Sequence, residues 1–95
     1  MARLVIGCEL GKPSTAARAV SALESWGAVR LIQSLWLLST RLDGPYVCSA
    51  LQDIVEEQDS VVVFEPDEGS RWSAEGVSEA RTEWLRANIG EHPNI

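Results

Sequence analysis

The chain has 95 residues, with 14 acidic side chains against 8 basic ones and a net charge of −6. That length suits one domain with a single core, and an apolar content of 45% excludes disorder of the whole chain. Nothing forms the basic stripe on which phosphate-driven affinity for nucleic acid rests, so charge gives no support to a nucleic-acid partner.

The first element is RLVIGC, residues 3–8. Leu4, Ile6 and Cys8 alternate with Arg3 and Val5, the spacing of a strand. Glu9 follows at its exit, and Gly11, Pro13 and Ser14 break the chain. Ser14 is placed to cap a helix whose apolar stripe is Ala16, Val20 and Leu23, with Ala19 and Trp26 beside it. Gly27 ends that helix. AVRLIQ and LWLLST read as strands with a bend or bulge near Gln33 and Ser34, or as one long kinked strand, because no two-residue turn signal separates them. LDGP breaks the chain again. Pro45 suits a first helical position, and Val47, Leu51, Ile54 and Val55 repeat at helical spacing. SVVVFEP, from Ser60, is an unbroken apolar run and predicts a strand buried at least in part on both faces. After the turn PDEG, Val77, Ala80, Trp84 and Leu85 mark a last helix that ends at Gly90. HPNI reads as a loose tail.

The order β-α-β-β-α-β plus a C-terminal helix predicts an α+β fold of the ferredoxin-like kind, an antiparallel sheet with two helices on one face. The expected domain is 1–90, with a flexible tail at 91–95. One sheet face is left bare by this arrangement. The C-terminal helix, a second subunit, or both are expected to cover it.

No apolar run is long enough to cross a bilayer, since the longest, LIQSLWLLS, is interrupted by Gln33 and Ser34. The start lacks the features of a signal peptide, so cytoplasmic residence is expected. Cys8 and Cys48 have no CxxC spacing and only one histidine for company, which argues against zinc and for a buried reduced thiol pair. The acids are unevenly spread. Leu42 to Ser70 holds eight of them (Asp43, Asp53, Glu56, Glu57, Asp59, Glu65, Asp67, Glu68) and no Lys or Arg. Two readings stand: a solvated face that keeps the protein soluble, or a docking surface for a basic protein partner formed by the seven acids from Asp53 onward.

At this point the residues resemble a family. CELGKPS is similar to the pattern Tyr-Asp-Leu-x-Lys-Pro-Gly of small SinR-family proteins, relatives of the CRISPR-associated Cas-two adaptation subunit and of VapD-type ribonucleases. SLWLLST resembles their Ser-Thr-Trp-Leu-Val-x-Thr strand, QDSVVVFE their Asn-Asp-x-Leu-x-Val strand, and RTEWLRANI their closing Trp-Leu helix. The resemblance spans nearly the whole chain. It implies a ferredoxin-like homodimer paired through its sheet. It also implies that the position of Glu9 is where nuclease-active relatives keep an Asp, two copies of which hold one Mg²⁺ at the dimer axis and activate a water. Glu9 departs from that pattern by a methylene, and Cys8 stands where the relatives have an aromatic residue. Catalytic placement tolerates less than the shift a methylene brings. Glu9 is therefore either a metal ligand or a charge at a strand exit, solvated or paired with Lys12 or Arg41. Ser34 matches the family's serine near the axis, there to bind a phosphate or only to cap a bulge.

Other candidates carry less. His92 lies in a Pro- and Gly-bounded tail. Ser14, Ser34 and Cys48 have no identifiable neighbouring base, so a nucleophilic triad is unsupported, and no phosphate-cradling loop is present. Trp36 and Trp84 read as core or dimer aromatics, Trp26 and Trp72 as rim.

Three functions follow. The favoured one is a homodimeric, non-catalytic interaction protein, an adaptor or inhibitor, whose acids engage a basic protein. By analogy with small acidic phage- or plasmid-borne proteins this extends to host-defence conflict. The others are a Mg²⁺-dependent endoribonuclease using Glu9 from both subunits, and a structural subunit of a larger nucleic-acid-processing assembly. No cofactor is expected for the first.

Overall fold

The computed structural model describes residues 1–90; the tail expected at 91–95, His92 included, lies outside the described residues. The elements are β1 (Ala2–Glu9), α1 (Pro13–Ser25), β2 (Val29–Ile32), β3 (Leu35–Thr40), α2 (Gly44–Gln52), β4 (Ser60–Phe64) and α3 (Glu79–Asn88). The four strands form one sheet in the order β2-β3-β1-β4, and every pairing is antiparallel. The fold is α+β, compatible with the ferredoxin-like arrangement.

Alternation along β1 decides the two faces. Leu4 and Ile6 point to the side where Trp36 and Leu38 of β3, Leu23 of α1 and Val47 and Leu51 of α2 close a core, with Cys8, Val61 and Val63 packed against it. Each fully buried aliphatic side chain there contributes on the order of 2 kcal/mol by leaving water. Val5 points the other way. There Leu37, with Leu31, lies under Leu85 and Trp84 of α3 and under Ile89 at its end. The C-terminal helix thus covers part of the second face, as expected, and rests on the β2 side of the sheet.

Several local expectations are corrected. Ser14 lies within α1, not at its cap. The N-cap is Lys12, in extended backbone with no side-chain cap, and Pro13 occupies the first turn, where its missing N–H costs nothing. β2 and β3 are a hairpin turning at Gln33–Ser34, not one kinked strand, with a register shift between Arg30 and Ile32. β4 is not buried on both faces: Val61 and Val63 reach the core, whereas Val62 and Phe64 are 59% and 53% exposed, because α3 rests at the other, β2 side of the second face. Trp84 is half-buried against α3's own cluster, and Trp36 is buried as expected. Gly27 ends α1 as read from the sequence, at φ +85°.

A short clasp holds α3 and the linker before it. The Gly69 N–H donates to the Ile89 carbonyl at 2.9 Å, and Trp72 Nε1 donates to the Gly90 carbonyl at 2.9 Å. Trp72 is therefore a structural anchor, half-buried, where a rim position was expected.

Candidate functional site

Glu9 is the last residue of β1 and is exposed. Its register partner is Ser60, the first residue of β4. The Cys8 N–H donates to the Ser34 carbonyl at 2.9 Å, which draws the hairpin turn onto the same end of the sheet. The two residues singled out from the sequence, Glu9 and Ser34, are thus brought together. They line two hollows, one on each side of the sheet.

The hollow on the helix side measures about 340 Å³ and is walled by Ala16 and Leu23 of α1 and by Arg30 and Trp36 of the hairpin. The Arg30 guanidinium lies over the Trp36 ring, 4.7 Å from its centroid, a cation–π contact between cross-strand partners. The hollow on the opposite face, about 300 Å³, is a shallow trough where Gly7 has no side chain between Leu35 and Val62. Arg30 and Ser60 were not singled out from the sequence. No Gly or Asn marks the Gln33–Ser34 turn, so the register that opposes Arg30 to Trp36 had no readable signal.

Among the described residues Glu9 makes no ion pair. Lys12, one of its expected partners, instead meets Glu56 at 3.3 Å. A divalent ion needs several oxygen ligands, and among the described residues no three of His, Cys, Asp and Glu are grouped to hold one. The donor set of a single chain does not fit Mg²⁺.

The acidic segment is divided by β4 into two parts. Before the strand, Asp53, Glu56, Glu57 and Asp59 border an open groove of about 760 Å³ that also runs along Ser60, Val61 and Val62. Asp59 turns inward: its two oxygens accept the N–H groups of Gly11 at 2.9 Å and Glu56 at 2.8 Å. Those two hydrogen bonds, the Glu56 one first, hold its carboxyl below the usual carboxylate range, with a smaller contribution from Lys12. Arg18 donates to the Ile54 carbonyl. With Glu9 beside Ser60, this end of the sheet gathers five acids around Lys12 and Arg18. After the strand, Glu65 and Glu68 share a hollow with Arg3 and Arg86, while the Asp67 carbonyl accepts the Ser70 N–H. Arg86 is itself paired with Glu79 and Glu83, so the second group keeps its negative charge.

The two cysteines are free and half-buried. Burial pushes the Cys8 thiol up from its ordinary value, and the nearby Cys48 adds to this. The expected reduced thiol pair is thus a pair of neighbours.

The class defined by this geometry is a small α+β domain with an acidic sheet end and a half-covered sheet. Comparison with protein-family models, with curated proteins and with solved structures finds no match in any of the three. Among the described residues no helix is long and apolar enough to cross a membrane.

Proposed function

We propose that the protein is a small acidic homodimeric interaction protein, an adaptor or inhibitor without catalytic activity, that works in the cytoplasm on a basic protein partner. The observation that carries this reading is the concentration of Glu9, Asp53, Glu56, Glu57 and Asp59 at one end of the sheet, where Lys12, Arg18 and Arg30 are the neighbouring cations. Such a field steers a basic partner and adds to affinity in a salt-dependent way. The scaffold is read as ferredoxin-like, related to the SinR and Cas-two proteins. Support comes from the strand order β2-β3-β1-β4 with α1 and α2 on one face.

Homodimerisation rests on the part of the second face that α3 leaves open. Val62 and Phe64 stand exposed there beside the Gly7 trough, and a second copy would remove them from water. A host-defence setting extends the proposal by analogy alone.

Capture from a host lysate tests the partner. Wild-type protein is expected to retain a partner that is lost when Glu56, Glu57, Glu65 and Glu68 are changed to Lys. Unchanged capture by that variant removes the acids from the proposal. The nuclease reading has one supporting observation, that Glu9 and Ser34 line the same hollows. Labelled RNA and DNA incubated with Mg²⁺ or Mn²⁺ decide it: cleavage by wild type and not by Glu9→Ala would replace the proposal above.

A further inference from the structure

β4 is the outer strand of the sheet, and no described strand lies beyond it. In an antiparallel sheet, alternate residues of an edge strand turn their N–H and C=O groups outward, where they seek partners. Natural edges are usually blunted by Lys, Pro or a covering loop. The span SVVVF has none of the first two. Instead the open groove runs directly along it. One wall is β4 itself from Ser60 to Val62, and the other is α2, through Cys48 and Gln52.

We infer that this groove receives an extended, basic segment of a partner protein as a fifth strand, added to the outer edge of β4. The inference rests on the interaction reading proposed above and specifies how the partner is held. Main-chain hydrogen bonds to β4 supply affinity, and alternate side chains supply specificity. Side chains on the helix side of such a strand enter the groove, where Asp53 and Glu57 are exposed beside it. Lys or Arg at those alternate positions finds its charge complement there, while an apolar residue on the other face lies alongside Val62 and Phe64. The required pattern is therefore basic and apolar in alternation.

A second copy of this chain fits the edge poorly. Antiparallel pairing of β4 with another β4 sets the start of one strand against the end of the other, so Asp53–Asp59 would approach Glu65–Glu68. Like charges placed across an interface cost affinity. The groove opens beside the core-facing Val61, whereas the trough proposed for self-association lies on the opposite face, the two meeting at Val62.

Three labelled peptides of equal length test this on the full-length protein by fluorescence anisotropy. The first alternates Lys or Arg with Val. The second has the same sequence except that two central residues are replaced by Pro, which cannot complete the ladder. The third carries Glu in place of the basic residues. The first is expected to bind at least tenfold more tightly than either other, to weaken at least tenfold with Asp53→Lys/Glu57→Lys, and to slow amide exchange within Ser60–Phe64. Equal binding of the alternating and Pro-containing peptides overturns strand addition while leaving attraction by the acids intact. Binding indifferent to Asp53→Lys/Glu57→Lys overturns the acidic reading itself. Protection of the β4 amides that rises with protein concentration in the absence of peptide assigns the edge to a second copy and overturns the inference.

Discussion

The Gly11 N–H donates to Asp59 Oδ1 at 2.9 Å, joining two loops 48 residues apart in the chain. The other oxygen of the same carboxylate accepts the Glu56 N–H. One side chain therefore ties the turn after β1 to the loop before β4, and with them the two stretches that carry Glu9 and Glu57. The acidic end of the sheet is held in place by one of its own acids.

Replacing Asp59 is predicted to loosen that end. Asp59→Ala removes both acceptors and is expected to lower the thermal midpoint, whereas Asp59→Asn keeps one carbonyl oxygen and loses less. The folded-state carboxyl titrates below its unfolded value, which is about 3.9. Its contribution is thus present above about pH 4 and lost as pH falls through the folded value. Thermal melts from pH 7 to pH 2.5 should show a smaller acid-induced loss in Asp59→Asn than in wild type. Parallel curves would refute the linkage.

The helix stop at Gly27 carries a conformational requirement. Its φ of +85° is a region that a Cβ makes unfavourable, and no atom lies close enough to add a clash. Gly27→Ala is expected to cost about 1 kcal/mol in chemical denaturation, with Gly27→Asn falling between it and wild type. A loss several times larger would mean that packing, not backbone strain, sets the position.

The buried core and the exposed sheet edge should separate cleanly. Leu51 is fully buried among Leu4, Ile6 and Val47. Leu51→Ala is expected to cost about 2–5 kcal/mol, a large share of the 5–15 kcal/mol that holds a domain folded. Val62→Ser, at an exposed edge position, is expected to change stability by no more than about 0.5 kcal/mol at concentrations where the protein is monomeric. Urea midpoints measured at low micromolar concentration check both.

Much of the fold was legible because its signals are local. The alternation of Leu4, Ile6 and Cys8 placed β1, and the helical spacing of Val47 and Leu51 placed α2. What escaped was set by distant partners. An apolar run such as Val61–Phe64 looks the same whether one face or both are covered, and only the strand order put it at an edge. The charge run likewise carried no information on its spatial neighbours: Glu65 and Glu68 share a hollow with Arg3 and Arg86, remote in sequence. Glu9 and Ser34 were singled out through a family resemblance, and they line the same hollows at the end of β1. The hydrogen bonds of Asp59 had no signal in the chain at all.

Cys8 should react slowly with thiol reagents. Burial first, and Cys48 second, raise its pKa, so the reactive thiolate is scarce near neutral pH. Alkylation of the Cys48→Ala variant at pH 8 is expected to be slower in the folded protein than in urea. The same shift means that the folded state favours the protonated thiol: its contribution is full below the unfolded value of about 8.5 and fades as pH rises through the folded one. Equal folded and unfolded rates would contradict the burial.

The half-covered sheet gives the last expectation. α3 reaches Leu37 and Val5 but leaves Phe64, opposite Val5 in register, 53% exposed. If a second copy completes this face, the cost of exposing Val62 and Phe64 drives association, roughly 25 cal/mol for each Å² of apolar surface removed from water. A charge placed there must be desolvated on pairing and is opposed by its own symmetry mate. Light scattering at micromolar concentration should therefore give a dimer mass for wild type and a monomer mass for Phe64→Lys, with the two sharing the same circular dichroism spectrum and a closely similar melting curve once diluted. A monomeric wild type would refute the dimer while leaving the groove beside β4, and the peptide experiment that tests it, untouched.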